Sequence, residues 1–383
     1  MRLALVSAAY PPDLDGIGDY TWWLARTLAE HRDMERVVVF TREGRDHGQS
    51  PGVEVSPFFD PNQPGTFSKL TTAIENEFTK KEQQLDWLIL QYNPFSWGRR
   101  GFCPRVPPTL RLLRQTKNAP RLAVMFHETT TPKWPWRFLL MFAYQHPFFK
   151  AVCSLADIAF VSTTRWMPQI QRAAPKLPMH HLPVGSNISL RDVSKGEARR
   201  KLGIDKETLV LGVFGGAHIS RRLDWIAATI AEAQRRHPAR RTLLLYVGAE
   251  GEAMRQALGH EDMVDCGALP GDEVGVRLRA MDAAISPFVD GVSTRRGSVM
   301  ALLQHGVPVA TTQASWTDDV FRNSALNGLL LSSANSMQSF ATETVNWLDR
   351  LPVSHEPNTA LTEFYRDHFS WQGITQTMLS HLC

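Results

Sequence analysis

Two arginine pairs stand in similar surroundings in the second half of this sequence of 383 residues. One pair ends the segment Gly215–Arg222, and the other begins the segment Arg295–Ser298. Each follows an apolar run and precedes a helical pattern, although cations are disfavoured at the positive amino end of a helix. A bound anion would offset that repulsion, and two such loops could hold one diphosphate from both sides. The alternative is that the arginines are merely solvated.

A third loop, Ser7–Tyr20, begins where the first apolar run ends. Gly16 and Gly18 are predicted to open a helix there, and they would let backbone amides approach an anion or a sugar. A plain tight turn explains the same glycines. Asp13 and Asp15 match a metal-binding Asp-x-Asp pattern, but no other acidic cluster accompanies them, so no metal site is predicted.

Three further side chains lie at the carboxyl ends of apolar runs, where the residues of a ligand site are expected. His127 follows Val124–Phe126 and could polarise a hydroxyl group, unless local hydrogen bonds satisfy it. Glu128 could orient His127 or contact an acceptor. Glu250 follows another apolar run and is predicted to contact a nucleotide.

Ten short apolar runs alternate with helical patterns and predict the elements that carry these residues. Their lack of polar alternation is typical of parallel strands buried on both faces. They are Leu3–Val6, Val37–Phe40, Trp87–Leu90, Leu122–Phe126, Ile158–Val161, Leu209–Phe214, Leu243–Val247, Ala283–Phe288, Pro308–Thr311 and Gly328–Leu331. The polar stretch Ser186–Gly203 interrupts the pattern and is predicted to link two doubly wound α/β domains that face a central cleft.

Five features occur in a fixed order along the chain. They are a Pro-Pro…Gly-Ile-Gly opening, His127-Glu128 after a strand, Glu197-Ala198-Arg199 with Leu202-Gly203-Ile204, the turn Gly215…Arg221-Arg222-x-Asp224, and a helix ending in Gly306-x-Pro308-Val309. Together they resemble glycosyltransferase family 4, retaining enzymes of the GT-B fold, most strongly from Glu197 to Thr312. The resemblance implies an acceptor-side domain at 1–188, a donor domain at 189–360, and a helix at 361–383 that crosses back to the first domain.

The resemblance also implies transfer of a sugar from a nucleotide diphosphate to a hydroxyl acceptor, without a metal or another cofactor. The implied acceptor is a glycan or a lipid-linked sugar. Implied catalytic residues are His127 and Arg221. Implied donor contacts are Gly16, Gly18, Gly216, Arg222, Glu250, Arg295, Arg296, Gly297 and Ser298, and implied acceptor contacts are Asp19, Tyr20 and Glu128.

The chain departs from the family at the usual Glu-x7-Glu motif, where Ser293 and Ala301 stand instead. Two alternatives therefore stay open. A nucleotide-sugar epimerase would need acid and base carboxylates, and the loss of both glutamates argues against it. A protein that binds a sugar nucleotide or a glycan without turnover is the other alternative.

Composition limits the class of protein and the partners. With 43% hydrophobic residues and a net charge of +4, the chain is too apolar to be disordered. Four scattered cysteines suit a reducing cytoplasm. Residues 95–156 contain ten basic residues and one acid, Glu128, together with the aromatic cluster Trp134–Phe149. This pattern predicts peripheral contact with an anionic membrane, with helical core packing as the alternative and nucleic acid as a poorer one.

Overall fold

The computed structural model describes the chain except at residues 45, 49, 61, 261 and 353, and except for the side chains of residues 64 and 81. The backbone divides into two compact units. The first unit contains Met1–Pro183 and Ile374–Cys383, and the second contains Val184–Gly373.

A sheet of seven parallel strands lies in the first unit. Its strands are β1 (Arg2–Val6), β2 (Arg36–Arg42), β3 (Val53–Phe59), β4 (Trp87–Tyr92), β5 (Arg121–Phe126), β6 (Ile158–Val161) and β7 (Met179–His181). They are arranged in the order β3-β2-β1-β4-β5-β6-β7. The helices before the second unit are α1 (Gly16–Ala29), α2 (Leu70–Glu77), α3 (Pro94–Trp97), α4 (Val106–Arg114), α5 (Leu139–Leu155) and α6 (Met167–Ala173).

The second unit contains a sheet of six parallel strands. They are β8 (Leu209–Phe214), β9 (Thr242–Val247), β10 (Met263–Asp265), β11 (Ala283–Ser286), β12 (Val309–Thr312) and β13 (Leu329–Ser332), in the order β10-β9-β8-β11-β12-β13. The remaining helices are α7 (Lys195–Lys201), α8 (Leu223–Arg236), α9 (Gly251–Leu258), α10 (Gly271–Ala280), α11 (Gly297–Gln304), α12 (Asp319–Arg322), α13 (Met337–Leu348), α14 (Thr359–Phe369) and α15 (Trp371–Leu382).

The expected doubly wound parallel sheets are confirmed, because every one of the ten predicted runs forms a strand. In β8, Val210 packs in one hydrophobic cluster while Leu211 and Val213 pack in another. Successive side chains of a strand point to opposite faces, so this strand is buried on both. The continuous apolar run in the sequence of β8 is the direct consequence of this burial on both faces.

Part of the stretch Ser186–Gly203, which was predicted as a linker, is a helix integrated into the second unit. Ser194 and Glu197 form a capping box at the start of α7. The buried Arg199 of this helix pairs with Asp282 at 2.7 Å, just before β11. These contacts attach α7 to the edge of the sheet from which its strands begin.

The strand order reverses at one place in each sheet. The neighbours there are β1 and β4 in the first unit, and β8 and β11 in the second. Ligands of doubly wound folds bind beyond the carboxyl ends of the strands at such a reversal. The loops after β1, β8 and β11, together with the first turns of the helices that follow them, carry most of the predicted site residues. Along the described part of the chain, none of the helices combines the length and apolar character needed to cross a bilayer.

Candidate functional site

The two arginine loops of the second unit are joined by backbone hydrogen bonds. The amide of Arg222 donates to Pro287 O at 3.1 Å, and the amide of Val289 donates to Ser220 O at 2.8 Å. Arg221 and Phe288 form an isolated antiparallel bridge between the same loops. The loops that follow β8 and β11 are therefore hydrogen-bonded to each other beside the point where the strand order reverses.

Arg221 lies inside these joined loops and is only 7% exposed, so the alternative of a merely solvated side chain is wrong for this arginine. Its Nη2 donates to Phe214 O at 2.8 Å and its Nη1 to the hydroxyl of Ser286 at 3.4 Å. Its Nε has no hydrogen-bond partner among the described residues, and none of their carboxylates pairs with it. Burial, and then the charge of Arg296, lower the pKa of Arg221 to about 10. A bound anion would offset both the cost of burying this cation and its repulsion by Arg296.

Both arginines of the second pair contact the carboxylate of Asp290. Arg296 contacts Asp290 at 3.0 Å and donates to the hydroxyl of Ser220 at 3.0 Å. Arg295 lies 3.7 Å from the same carboxylate. The guanidinium of Arg296 is 4.2 Å from the ring centroid of Phe288, the ring that Arg221 also faces. Asp290 thus contacts both Arg295 and Arg296, and the ring of Phe288 contacts both Arg221 and Arg296, so three guanidinium groups lie close together.

The glycine loop after β8 packs against the beginning of α11. Gly215 has a φ of +96°, and a Cβ there would lie 3.3 Å from Ser298 Cβ and 3.4 Å from Arg221 Nη2. Only glycine fits this backbone and this close approach. The amides of Gly297 and Ser298 open α11, where amides lack partners within the helix and favour an anion. The guanidinium of Arg221 and the side chain of Ser298, in the first turn of α11, therefore both approach Gly215.

Glu250 is engaged with the same loop. Its carboxylate accepts a hydrogen bond from the amide of Ala217. A Cβ at Gly216 would lie 2.8 Å from Glu250 Oε2, so this glycine permits the contact. Arg222 does not join the cluster around Phe288, since its guanidinium lies 4.4 Å from the ring centroid of Trp225.

The loop after β12 supplies two residues that the sequence analysis missed. Asp318 is buried and accepts hydrogen bonds from the amide of Thr294 at 2.8 Å and from its hydroxyl at 3.0 Å. The ring of Trp316 lies 5.2 Å from the guanidinium carbon of Arg295, and its amide donates to Asp290 O. Their place in the loop that follows a predicted strand was the available signal, although neither residue follows the strand directly as His127 does.

In the first unit, His127 follows β5 and is held on two sides. Its Nε2 lies 2.7 Å from Gln91 Oε1 on β4, and its ring makes an edge contact with Tyr20, with 4.9 Å between centroids. Trp166 donates to its carbonyl oxygen. The contact with Gln91 fixes the orientation of the ring and leaves Nδ1 as its other nitrogen. Burial lowers the pKa of His127 to about 3, so the imidazole is neutral.

The start of α1 already holds a carboxylate of the chain itself. Asp15 accepts from the amides of Ile17 at 2.9 Å and Gly18 at 2.8 Å. A Cβ at Gly18 would lie 3.1 Å from the carbonyl carbon of Ala9, whereas one at Gly16 would meet nothing within 4 Å. Gly18 thus allows close packing of α1 on the loop after β1, while the predicted anion position is taken by Asp15.

Three further acidic residues lie near the start of α1 or just after β5. Asp19 lies in the first turn of α1, and burial together with Asp15 raises its pKa to about 6. Glu128 follows His127 and is half-buried, with its amide 3.4 Å from Tyr92 O. Asp13 pairs with Arg42 at 3.1 Å. Within the described residues, no group of three or more His, Cys, Asp or Glu side chains could hold a metal ion.

The sequence matches no known protein-family model, and no curated protein matches it. Solved structures do match over nearly the whole chain. Sucrose-phosphate synthase from Thermosynechococcus elongatus has a TM-score of 0.74 at 17% identity, covering 100% of this chain and 98% of its own. HepE from Anabaena, in complex with UDP and glucose, has a TM-score of 0.70 at 13% identity, covering 100% and 99%.

WaaG, a glycosyltransferase involved in lipopolysaccharide biosynthesis, has a TM-score of 0.66 at 15% identity, covering 99% of both chains. The chain therefore has the GT-B fold of glycosyltransferase structures. Identities of this size show the fold alone.

Proposed function

We propose that the protein transfers a sugar from a nucleotide diphosphate to a hydroxyl acceptor, with retention at the anomeric carbon. The observation that carries this proposal is the buried cation Arg221, which has no carboxylate partner among the described residues and meets the start of α11 at Gly215. A buried charge without a partner is costly unless a ligand completes it. The likeness to HepE in complex with UDP and glucose supports a nucleotide sugar as that ligand.

The difficult part of such a transfer is the departure of the diphosphate, because negative charge grows on its oxygen as the bond to the anomeric carbon breaks. Donors fixed in advance stabilise that charge best. We assign this role to Arg221, Arg295 and Arg296 with the amides of Gly297 and Ser298. The acceptor oxygen forms the new bond to the anomeric carbon, and its proton passes to the departing diphosphate. No metal is assigned a part.

His127 is assigned to the acceptor or to the transferred sugar. Since its Nε2 is engaged with Gln91, the neutral ring offers Nδ1 to a sugar hydroxyl. It would therefore orient a hydroxyl group and would not supply a proton. Tyr20 supports the ring from the side, and Asp19 and Glu128 are assigned to the acceptor with it. The proposed acceptor is a glycan or a lipid-linked sugar.

A protein that binds a sugar nucleotide without turnover is the second candidate, and one observation favours it. Ser293 and Ala301, where the resembled family has carboxylates, are 1% and 0% exposed. Neither side chain can accept a hydrogen bond with the strength of a carboxylate. Glu250 is fastened to the glycine loop, so a contact with the ribose would require it to release Ala217.

Thermal unfolding of the full chain with uridine, guanosine, adenosine and thymidine diphosphates tests the binding step. A ligand at about one hundred times its dissociation constant adds roughly 2.7 kcal/mol to the free energy of unfolding. Arg296→Ala should remove the stabilisation by the preferred nucleotide, whereas Arg32→Ala, an exposed arginine of the first unit, should retain it. No stabilisation by any of the four would contradict the proposal.

Turnover separates the two candidates once a nucleotide is known. Incubation with the corresponding sugar nucleotides should release the nucleoside diphosphate and give a product whose anomeric configuration, measured by NMR coupling constants, equals that of the donor. Inversion would exclude a retaining transfer. Binding without any release, tested with glycan and lipid-linked acceptors, would leave the non-catalytic candidate. Activity should persist in excess chelator.

A further inference from the structure

The segment from Lys133 to Leu140 exposes large apolar side chains to solvent. Trp134 and Trp136 are 76% and 77% exposed, and Leu139 and Leu140 are 52% and 76% exposed. We call these four residues, with the basic residues around them, the aromatic-basic surface. Folded proteins expose few such clusters unless a partner covers them.

Helix α5 explains why the cluster is left uncovered. The residues that α5 buries are Gln145, Phe149, Val152 and Cys153, all in its middle or carboxyl-terminal part. Its amino-terminal turns, which begin at Leu139, lie outside the core despite their apolar sequence. Helical core packing, the alternative for this segment, is therefore wrong for the two tryptophans and the two leucines.

A neighbouring loop extends the same surface. Phe102 is 50% exposed and packs against Tyr144 and Phe148 of α5, with 5.4 and 5.7 Å between ring centroids. The hydroxyl of Tyr144 donates to the carbonyl oxygen of Arg100 at 2.7 Å. The loop is thereby fixed beside the helix, and it places Arg99 and Arg100, both exposed, next to apolar rings.

Positive charge borders the apolar side chains. Lys133 Nζ lies 5.0 Å from the ring centroid of Phe142, and the guanidinium carbon of Arg137 lies 4.9 Å from that of Phe138. Lys150 is exposed at the far end of the same stretch. The sequence from residue 95 to residue 156 contains one acid, Glu128, so little negative charge offsets these cations.

We propose that the aromatic-basic surface binds the interface of an anionic lipid bilayer. Tryptophan side chains favour the headgroup level of a bilayer, and lysine and arginine beside them pair with anionic lipids. A helix start that presents leucines between such residues would lie in the interface plane without spanning the membrane. The inference does not depend on glycosyl transfer, although a membrane-bound protein would meet a lipid-linked acceptor directly.

Co-sedimentation of the full chain with vesicles tests this inference. Vesicles of phosphatidylcholine with about one third phosphatidylglycerol should bind the protein, and vesicles of pure phosphatidylcholine should bind it at least about tenfold more weakly. Raising the salt concentration from about 0.05 to about 0.5 M should weaken binding by a similar factor, because charge at a surface is screened. Equal binding to both vesicle types, or no binding to either, would overturn the proposal.

Matched variants locate the surface. Trp134→Ser with Trp136→Ser, and separately Lys133→Glu with Arg137→Glu, should each lower the bound fraction about tenfold or more. Leu190→Ser, at a residue of the second unit that is 62% exposed, and Arg32→Glu with Lys206→Glu are the apolar and charge controls and should bind as the parent does. Retention of binding in both surface variants would overturn the assignment. Binding of RNA is measured with the same variants. Surface variants that lose RNA binding but keep vesicle binding would also overturn the assignment.

Discussion

Arg221 and Phe288 are neighbours in two ways: their backbones form an isolated antiparallel bridge, and the guanidinium carbon lies 5.3 Å from the ring centroid. One residue follows β8 and the other follows β11, the two strands at which the sheet order reverses. A cation held against an aromatic face in a buried position needs no rearrangement to meet an anion. The arginine cluster of the second unit is thus assembled in advance, which is the arrangement that the proposed transfer would need.

Arg221→Met should raise the thermal stability of the protein without ligand. The substitution keeps an apolar chain of similar length and removes a buried charge that has no carboxylate partner among the described residues. We expect a gain of roughly 1 kcal/mol in the free energy of unfolding, together with a loss of about 10²-fold in turnover or nucleotide affinity. Thermal unfolding with and without nucleoside diphosphate measures both effects.

The control for this substitution is Arg222→Met, in which the lost guanidinium lies over Trp225 and outside the cluster. It should not raise the stability of the free protein. A destabilised Arg221→Met protein that still binds nucleotide normally would contradict the assignment, because Arg221 would then be a structural residue.

Gly18→Ala should destabilise the first unit, whereas Gly16→Ala should not. A Cβ at Gly18 would press on the backbone of Ala9 and Tyr10 at 3.1 to 3.2 Å, and a backbone neighbour cannot rotate away. We expect a loss of roughly 1 to 3 kcal/mol, the usual range for overpacking. Gly16 has open space around it, so alanine there should be neutral or slightly stabilising. Urea unfolding of the two variants makes the comparison, and equal losses would contradict it.

Most of the sheet architecture could be predicted from the sequence, and the strands that were missed share one property. These strands, β3, β7 and β10, all lie at an edge of their sheet. Edge strands are partly exposed, so Met179–His181 and Met263–Asp265 carry no continuous apolar run. Central strands, buried on both faces, must be apolar throughout, and that is the pattern the sequence displays.

The candidate site was less predictable, because its geometry depends on contacts between distant segments. The sequence indicates two arginine loops. It does not indicate that the guanidinium of Arg222 lies over the ring of Trp225, or that Asp318 accepts a hydrogen bond from the amide of Thr294. Nor does it show that Asp15 occupies the amides of the Gly16–Gly18 turn. Each of these outcomes depends on contacts between side chains and backbone groups that only the folded chain brings together.

Asp19→Asn should stabilise the protein at neutral pH and leave it unchanged in acid. The pKa of Asp19 is raised to about 6 by burial and by Asp15, above its usual value near 4. Between these values the folded chain holds a proton that the unfolded chain has lost, so stability falls as pH rises through the window. After allowance for solvent screening, the asparagine should gain about 1 to 2 kcal/mol at pH 7.

Asp15→Asn is the companion variant for this prediction. It keeps an oxygen that can cap α1 but removes the neighbouring charge, so the pKa of Asp19 should fall while burial still keeps it above the usual value. NMR titration of the Asp19 carboxyl measures the shift directly. An ordinary pKa for Asp19 in the parent protein would exclude the prediction.

His127→Asn should flatten the dependence of stability on pH in the acid range. The pKa of His127 is lowered to about 3 by burial, so between about pH 3 and the usual value near 6.5 the unfolded chain binds a proton that the folded chain does not. Stability of the parent therefore rises with pH across this window, by about 1.4 kcal/mol per unit for one proton. Asparagine does not titrate and should remove that part of the slope, while a direct role with substrate should cost turnover but not nucleotide affinity.

Gln91→Leu is the control: it breaks the 2.7 Å contact to Nε2 and should lower stability, yet it leaves the histidine and hence the slope in place. Chemical denaturation at a series of pH values measures the slopes, and an unchanged slope in His127→Asn would mean that the imidazole is not buried in its neutral form.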